Sequence, residues 1–167
     1  MPLTDDDREF LKVAYDQALL SYQTDGIPIG AALVQHTPDG PKLLGVGHNK
    51  REQKGSPILH GETDCLQNIG RLKAEVYREC TMYTTLSPCL MCTGSVLLYR
   101  IPRIVIGENK HYMGGEALLK EHGVEVIVAD DPECTELFEK FEKEKPELWN
   151  EDIGEPDGST VREIKKA

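Results

Sequence analysis

Segments of helical and of β-strand character alternate along most of the chain, and this alternation limits the possible folds more than any other feature. Thr4 to Tyr22 opens with Thr and three Asp residues and then carries apolar residues at helical spacing, which predicts a helix. Gly30 to His36 and Lys42 to His48 are short apolar segments joined by the turn sequence Thr37-Pro38-Asp39-Gly40. This arrangement predicts a β-hairpin.

The alternation continues after the hairpin. Leu59 to Ile69 is predicted to be a helix that stops at Gly70, because glycine accepts the left-handed backbone of a helix C-terminus. The remaining predicted elements are strands over Thr81 to Thr85, Arg103 to Gly107 and Val124 to Ala129, and helices over Cys89 to Tyr99, Gly115 to Glu121 and Cys134 to Lys143, the last ended by Pro146. This order predicts an α/β fold, a three-layer α/β/α sandwich with a central mixed five-stranded sheet.

Length and charge narrow the class of protein. A chain of 167 residues is long enough for one hydrophobic core and short for two, so we predict one domain over residues 1–155 and a flexible C-terminal tail over 156–167. Asp and Glu outnumber Lys and Arg by 29 to 19, which gives a formal charge of -10. Such a surface repels phosphate backbones, so we expect a small-molecule substrate and no nucleic-acid partner.

Hydropathy and cysteine content give expectations for the compartment. No run of about 18 apolar residues occurs, and residues 1–8 do not resemble a signal peptide. We therefore expect no membrane association and a cytoplasmic protein that can also occur in the nucleus. Five cysteines are an odd number, too sparse for a secreted disulfide scaffold, which favours reduced thiols or metal ligands.

Two of these cysteines lie in the segment Pro88-Cys89-Leu90-Met91-Cys92, at a predicted helix N-terminus. Free backbone amides and the helix dipole stabilise thiolates there. A CxxC segment by itself is about equally typical of zinc binding and of redox chemistry.

The triplet His60-Gly61-Glu62 adds the groups that the cysteine pair lacks. An imidazole completes a three-ligand zinc site, whose fourth position stays open for a water molecule, as in catalytic zinc sites. Glu62 can lie beside the metal and transfer protons. An isolated HxE triplet usually has no function, but HxE followed by PCxxC is the specific signature of zinc nucleobase deaminases.

These motifs, with others along the chain, resemble the fungal (yeast-type) cytosine deaminases, a branch of the cytidine and deoxycytidylate deaminase superfamily. The similarity extends from Tyr15 to Glu155, and Gly61 stands where the broader superfamily usually has Ala. The other segments that carry it are Ile27-Pro28-Ile29-Gly30, Gly47-His48-Asn49, Gln53-Lys54-Gly55-Ser56, Tyr83 to Pro88, Ile101-Pro102-Arg103, Gly107-Glu108-Asn109 and Trp149 to Glu155.

The resemblance implies a cytidine-deaminase-like fold, a homodimer and one catalytic Zn²⁺ per chain, held by His60, Cys89 and Cys92. Its implied reaction is the hydrolysis of free cytosine to uracil and ammonia in pyrimidine salvage, with Glu62 as general acid and base. Closure of a C-terminal lid would exclude water from this site.

The resemblance also implies a set of substrate contacts. The side chain of Asn49 and the backbone amide of Gly61 hold the pyrimidine carbonyl, and Asp152 receives ring or amine hydrogens. The main-chain carbonyl of Ser87 holds the departing amine. The remaining pocket residues are Ile29, Leu86, Tyr112 and Trp149.

Each of these contacts has a plainer structural interpretation. Read alone, Asn49 is compatible with a turn cap, Trp149 with core packing and Asp152 with a helix cap. Two residues near the pocket depart from the family pattern: Tyr112 replaces an expected Phe, and Asp64 introduces a carboxylate that we expect to miss the metal.

Other functions remain open from the sequence. Within the class, the substrate could be another base such as guanine, or adenosine in tRNA. Outside it, a non-catalytic zinc-stabilised binding module and a CxxC redox protein share single motifs with this chain.

Overall fold

The computed structural model describes residues 3–155, so the predicted tail over 156–167 lies outside the described residues. Thirteen elements follow one another in this part of the chain. They are α1 (Asp5–Gln23), β1 (Gly30–Thr37), β2 (Gly40–His48), α2 (Arg51–Lys54), α3 (Gly61–Ile69), α4 (Ala74–Tyr77), β3 (Cys80–Leu86), α5 (Leu90–Tyr99), β4 (Arg103–Glu108), α6 (Glu116–Glu121), β5 (Glu125–Val128), α7 (Pro132–Glu144) and α8 (Pro146–Asp152).

The strands form the predicted mixed five-stranded sheet, in the order β2-β1-β3-β4-β5. β1 pairs antiparallel with both β2 and β3, whereas β3, β4 and β5 are mutually parallel. The crossovers between the parallel strands contain α5 and α6, so the carboxyl ends of β3, β4 and β5 share one edge of the sheet. Ligand sites in α/β proteins typically occur at this edge.

Alternate strand residues point to opposite faces of the sheet, and helices cover both faces. On one face, Ala32, Val34, Tyr83 and Val105 are buried with Phe10, Leu11 and Ala14 of α1. The other face packs against α3, α5 and α6 through Cys65, Val96 and Leu119. The buried strand residues on this face are Ala31, Leu33, Met82, Ile104 and Ile106. This arrangement confirms the three-layer α/β/α prediction.

Three short or terminal helices were not predicted from the sequence. α2 and α4 have four residues each, too few to show an apolar period. We read Pro146 only as the end of the preceding helix, but it is also the first residue of α8, a position where proline needs no amide hydrogen. Packing of Trp149 and Leu148 with Phe138 and Phe141 of α7 supports this last helix.

Asp7 fixes the first turn of α1 on the sheet. Its carboxylate accepts hydrogen bonds from the Arg103 guanidinium at 2.6 and 2.9 Å and from the Tyr83 hydroxyl at 3.0 Å. Burial opposes ionisation of Asp7, but Arg103 and Thr4 outweigh it and hold the pKa of this carboxyl well below its usual range.

Within residues 3–155, no helix is long and apolar enough to cross a membrane.

Asp7→Asn keeps the shape of the side chain and removes its charge, so it should destabilise the fold by about 3 kcal/mol at neutral pH. The folded-state pKa of Asp7 lies below its ordinary value of 3.8, so this contribution is present above 3.8 and is lost as the pH falls below 3.8 and through the folded-state pKa. Urea denaturation at a series of pH values measures the difference. The control is Asp16→Asn, which breaks the exposed ion pair with Lys12; equal losses in both variants would contradict this role for Asp7.

Candidate metal centre and active site

The three predicted zinc ligands meet where two helices begin. His60 is the N-cap residue of α3, Cys89 is the N-cap residue of α5, and Cys92 lies in the first turn of α5. One ligand atom from each residue lies within 4.8 Å of the other two, and His60 Nδ1 is 3.4 Å from Cys89 Sγ. An imidazole and two sulfurs this close together suit tetrahedral zinc with one open coordination position.

Local loops explain why these side chains converge. β3 ends at Leu86 and α5 begins at Leu90, so only three residues separate the strand from the helix. Pro88 precedes Cys89 in this loop, and Cys92 follows one helical turn later. On the facing helix, Thr63 Oγ1 accepts a hydrogen bond from the His60 backbone amide at 2.8 Å and fixes the start of α3.

The two cysteines differ in their electrostatic environment. A hydrogen bond from the Cys92 thiol, helped by His60, overcomes burial and lowers the pKa of Cys89 to about 4. The same contact, together with burial, raises the pKa of Cys92. The thiolate is the form of cysteine that binds zinc, so the low pKa of Cys89 favours metal binding at this position.

The second ring nitrogen of His60 faces a buried carboxylate. Nε2 lies 3.5 Å from Oδ1 of Asp152, whose side chain is 1% exposed. The other carboxylate oxygen of Asp152 accepts a hydrogen bond from Asn49 Nδ2 at 2.9 Å. A carboxylate behind a metal-ligating histidine fixes the orientation of the ring. Asp152 therefore connects α8 to the metal ligands and to Asn49.

Glu62 lies in the first turn of α3 and is 2% exposed. Its carboxylate accepts a hydrogen bond from Thr84 Oγ1 of β3 at 2.9 Å. Burial raises the pKa of Glu62, with the nearby Cys89 adding to the effect. A carboxyl group that can hold a proton beside a metal site suits general acid and base catalysis.

A small cavity of about 20 Å³ lies beside these groups. The rings of Tyr112 and Trp149 meet edge to face on its wall, with centroids 5.7 Å apart. Its lining comprises Ile29, His60, Glu62, Leu86, Ser87, Cys89, Tyr112, Trp149, Asp152 and Ile153.

Most predicted site residues are therefore together in one place. Asn49, Gly61 and Cys92 are predicted residues that do not line the cavity, although Cys92 belongs to the metal group and Asn49 reaches the cavity through Asp152. Ile153 lines the cavity but was not predicted as a site residue, and its place next to Asp152 was the available signal.

The structure shows the surroundings of three residues that distinguish this chain from the broader family pattern. A Cβ atom at Gly61 would lie 3.2 Å from the Ile29 carbonyl oxygen, so α3 approaches the backbone before β1 closely. Asp64 is fully buried, but it is not part of the metal-binding group found in residues 3–155. Burial raises the pKa of Tyr112 to about 12, so its extra hydroxyl stays neutral.

Comparison with known proteins agrees with this site. Residues 4–108 match the family model described as the cytidine and deoxycytidylate deaminase zinc-binding region. A cytosine deaminase from Candida albicans is 54% identical over 153 residues, which is 92% of this chain and 100% of that protein. A tRNA-specific adenosine deaminase from Streptococcus pyogenes is 33% identical over 64% of this chain and 65% of that protein.

Solved structures support the fold. A guanine deaminase from Nitrosomonas europaea superimposes with a TM-score of 0.66 at 18% sequence identity, covering 86% of this chain and 87% of that one. The five-stranded sheet and the His60, Cys89 and Cys92 group define a zinc-dependent hydrolytic deaminase. The chain belongs to the cytidine and deoxycytidylate deaminase family.

Metal binding and proton transfer are separable by mutation. Glu62→Gln should retain about one zinc per chain and lose at least about 100-fold in turnover, because it removes the proton carrier and no metal ligand. Cys92→Ser should lose both zinc and turnover. Metal analysis and an ammonia assay on the same samples give both values.

Cys80→Ser is the control for loss of a buried thiol outside the site. Substantial turnover in Glu62→Gln would remove Glu62 from its role. Full zinc content in Cys92→Ser would do the same for that ligand.

Proposed function

We propose that this enzyme hydrolyses free cytosine to uracil and ammonia, a reaction of pyrimidine salvage. The observation that supports it best is a series of polar contacts, from Asn49 to Asp152 and from Asp152 to His60. This series lies beside the cavity whose wall includes the rings of Tyr112 and Trp149. A flat ring with a carbonyl, ring nitrogens and an exocyclic amine complements this arrangement. The similarity to the Candida albicans enzyme supports the same substrate.

Proton transfer is the task of Glu62. His60, Cys89 and Cys92 would hold the zinc, which would supply a water molecule with a pKa lowered to about 7 as the nucleophile. Glu62 takes a proton from the attacking water and delivers it to the ring nitrogen next to C4. It then transfers the second proton to the amine, which leaves C4 as ammonia. Its buried position beside Thr84 keeps this carboxyl away from bulk water.

Orientation of the ring is the task of the surrounding polar groups. One hydrogen of Asn49 Nδ2 is donated to Asp152, and the second is available for the pyrimidine carbonyl. The Gly61 backbone amide assists at the same carbonyl, and Asp152 accepts a ring hydrogen. Ser87 contributes its main-chain carbonyl to the departing amine, while its hydroxyl donates to Glu116 at 2.7 Å.

Ammonia release from cytosine, cytidine, guanine, adenine and a tRNA anticodon stem tests the substrate. We expect cytosine to give the highest kcat/KM, because buried polar partners reject analogues that lack the matching group. The formal charge of -10 disfavours the tRNA substrate. A higher kcat/KM for guanine or for the anticodon stem would overturn the proposal.

We further propose that the enzyme is a homodimer. α5 and the loops near it expose large apolar side chains, which favours burial against a second copy. Their exposed fractions are Ile58 60%, Leu90 69%, Met91 38%, Leu98 73%, Tyr99 40% and Met113 40%.

A substitution on this face should weaken association. Leu98→Glu is expected to shift the mass measured by light scattering or ultracentrifugation towards the monomer, because a buried charge opposes the contact. Leu43→Glu, at a 42% exposed leucine on β2, is the matched control and should remain dimeric. A monomeric wild-type protein at micromolar concentration would refute the dimer.

A further inference from the structure

A second polar cluster lies between β2 and α3, outside the cavity lining. It consists of His48, Lys50, Asp64 and Asn68, and we name it the β2–α3 cluster. His48 is 5% exposed and Asp64 is fully buried. Neither the zinc ligands nor Glu62 belong to it, so the proposed chemistry leaves these buried polar groups unexplained.

Asp64 is the anion of this cluster. Its Oδ2 accepts hydrogen bonds from the His48 backbone amide at 3.0 Å and from Asn68 Nδ2 at 3.2 Å. Lys50 Nζ lies 3.9 Å from the same oxygen, with 19% of the lysine side chain exposed. Oδ1 has no hydrogen-bond partner within residues 3–155. A buried carboxylate is costly without a cation, so Asp64 constrains where Lys50 can lie.

Lys50 in turn decides which protonation state His48 adopts. Lys50 Nζ lies 2.6 Å from His48 Nε2, and an ammonium group can only donate a hydrogen bond. Nε2 therefore accepts, and the ring proton is on Nδ1, which donates to the Asn49 carbonyl oxygen at 2.9 Å. Burial lowers the pKa of His48, in agreement with a neutral ring.

Asn49 is held through every polar atom that it has. Its carbonyl accepts from His48 Nδ1 and from Ser21 Oγ, and its backbone amide donates to the Ile29 carbonyl at 2.9 Å. Its side-chain oxygen accepts from the Arg51 amide at 2.9 Å. With the rest of the residue fixed, the side-chain nitrogen can point only to Asp152 and to a ligand.

We propose that Lys50 and Asp64 are positioning residues that act through His48 to orient the Asn49 amide towards the pyrimidine carbonyl. This inference rests on the proposed cytosine deaminase function. Contact between β2 and α3 does not require the ion pair, since a Cβ atom at Gly47 would lie 2.2 Å from the Cys65 nitrogen and the two backbones therefore touch directly. Buried ion pairs also add little stability over apolar pairs, whereas they can specify one orientation.

The test is a double-mutant cycle on kcat/KM for cytosine. Lys50→Met should lower kcat/KM about 10- to 100-fold, mainly through a higher KM, because the carbonyl contact exists in the ground state as well. In an Asn49→Ala background, the same substitution should change kcat/KM less than about twofold, since the group that it positions is absent. Lys12→Met, at an exposed lysine paired with Asp16, is the matched control and should leave kcat/KM unchanged.

Equal losses in the two backgrounds, or wild-type kcat/KM in Lys50→Met, would overturn the proposal. If Lys50→Met does not fold, Lys50→Ala replaces it, because this shorter side chain also removes the donor to His48 Nε2 and the charge near Asp64, and the same losses are expected. Thermal unfolding and zinc content identify such a folding defect in either variant.

A spectroscopic measurement separates this proposal from the proposed substrate. The side-chain amide resonances of Asn49 are assigned by their loss in Asn49→Ala, and Lys50→Met should shift them. Unshifted resonances would overturn the positioning role even if cytosine is the substrate. Shifted resonances in an enzyme that releases no ammonia from cytosine would support the positioning role and refute only the substrate.

Discussion

The contact between the N-termini of α3 and α5 is the constraint on which the site depends. It places an imidazole and two sulfurs within 4.8 Å, in a part of the molecule where backbone amides are free to stabilise thiolates. Glu62 and Cys92 both lie in first turns, so the same contact brings the Glu62 carboxylate to the predicted metal ligands. The absence of a side chain at Gly61 lets the start of α3 pack directly against the Ile29 carbonyl.

The helix α8, which is distant in sequence from α3 and α5, completes the site. α8 carries Trp149 and Asp152 back to the beginning of β1 and to the end of β3, where Ile29 and Leu86 lie in the same apolar cluster. Asp152 lies between two residues of the site: its Oδ1 is 3.5 Å from His60 Nε2, and its Oδ2 accepts a hydrogen bond from Asn49. One carboxylate thus contacts the predicted metal ligand His60 and the amide of Asn49, and it also lines the cavity beside Trp149. Such supporting contacts are what hold a zinc ligand in a productive orientation.

Two buried carboxylates outside the cavity are also paired with cations. Asp7 and Arg103 fix α1 on the sheet, whereas Asp64 and Lys50 lie behind Asn49. Burial makes each carboxylate costly unless a cation or several donors satisfy it, so each pair specifies one arrangement of the chain around it. The first pair serves the fold, and the second lies where it can serve substrate recognition.

The sequence alone determined the local chemistry. The HxE and PCxxC motifs, at predicted helix N-termini, predicted the zinc ligands and Glu62, because the two motifs together are specific to zinc nucleobase deaminases. Asn49, Ser87 and Asp152 were identified only by resemblance, since nothing in their local pattern distinguishes a substrate contact from a cap or a turn.

Only the tertiary structure decided which distant groups meet. The α8 helix depends on packing against α7, and the placement of Ile153 depends on that helix. Lys50 and Asp64 form a pair because β2 crosses α3 at two glycines, Gly45 and Gly47, a closeness that no local pattern encodes. The physical reason is that periodicity fixes the face of each element, while contacts between elements depend on how all the buried surfaces pack together.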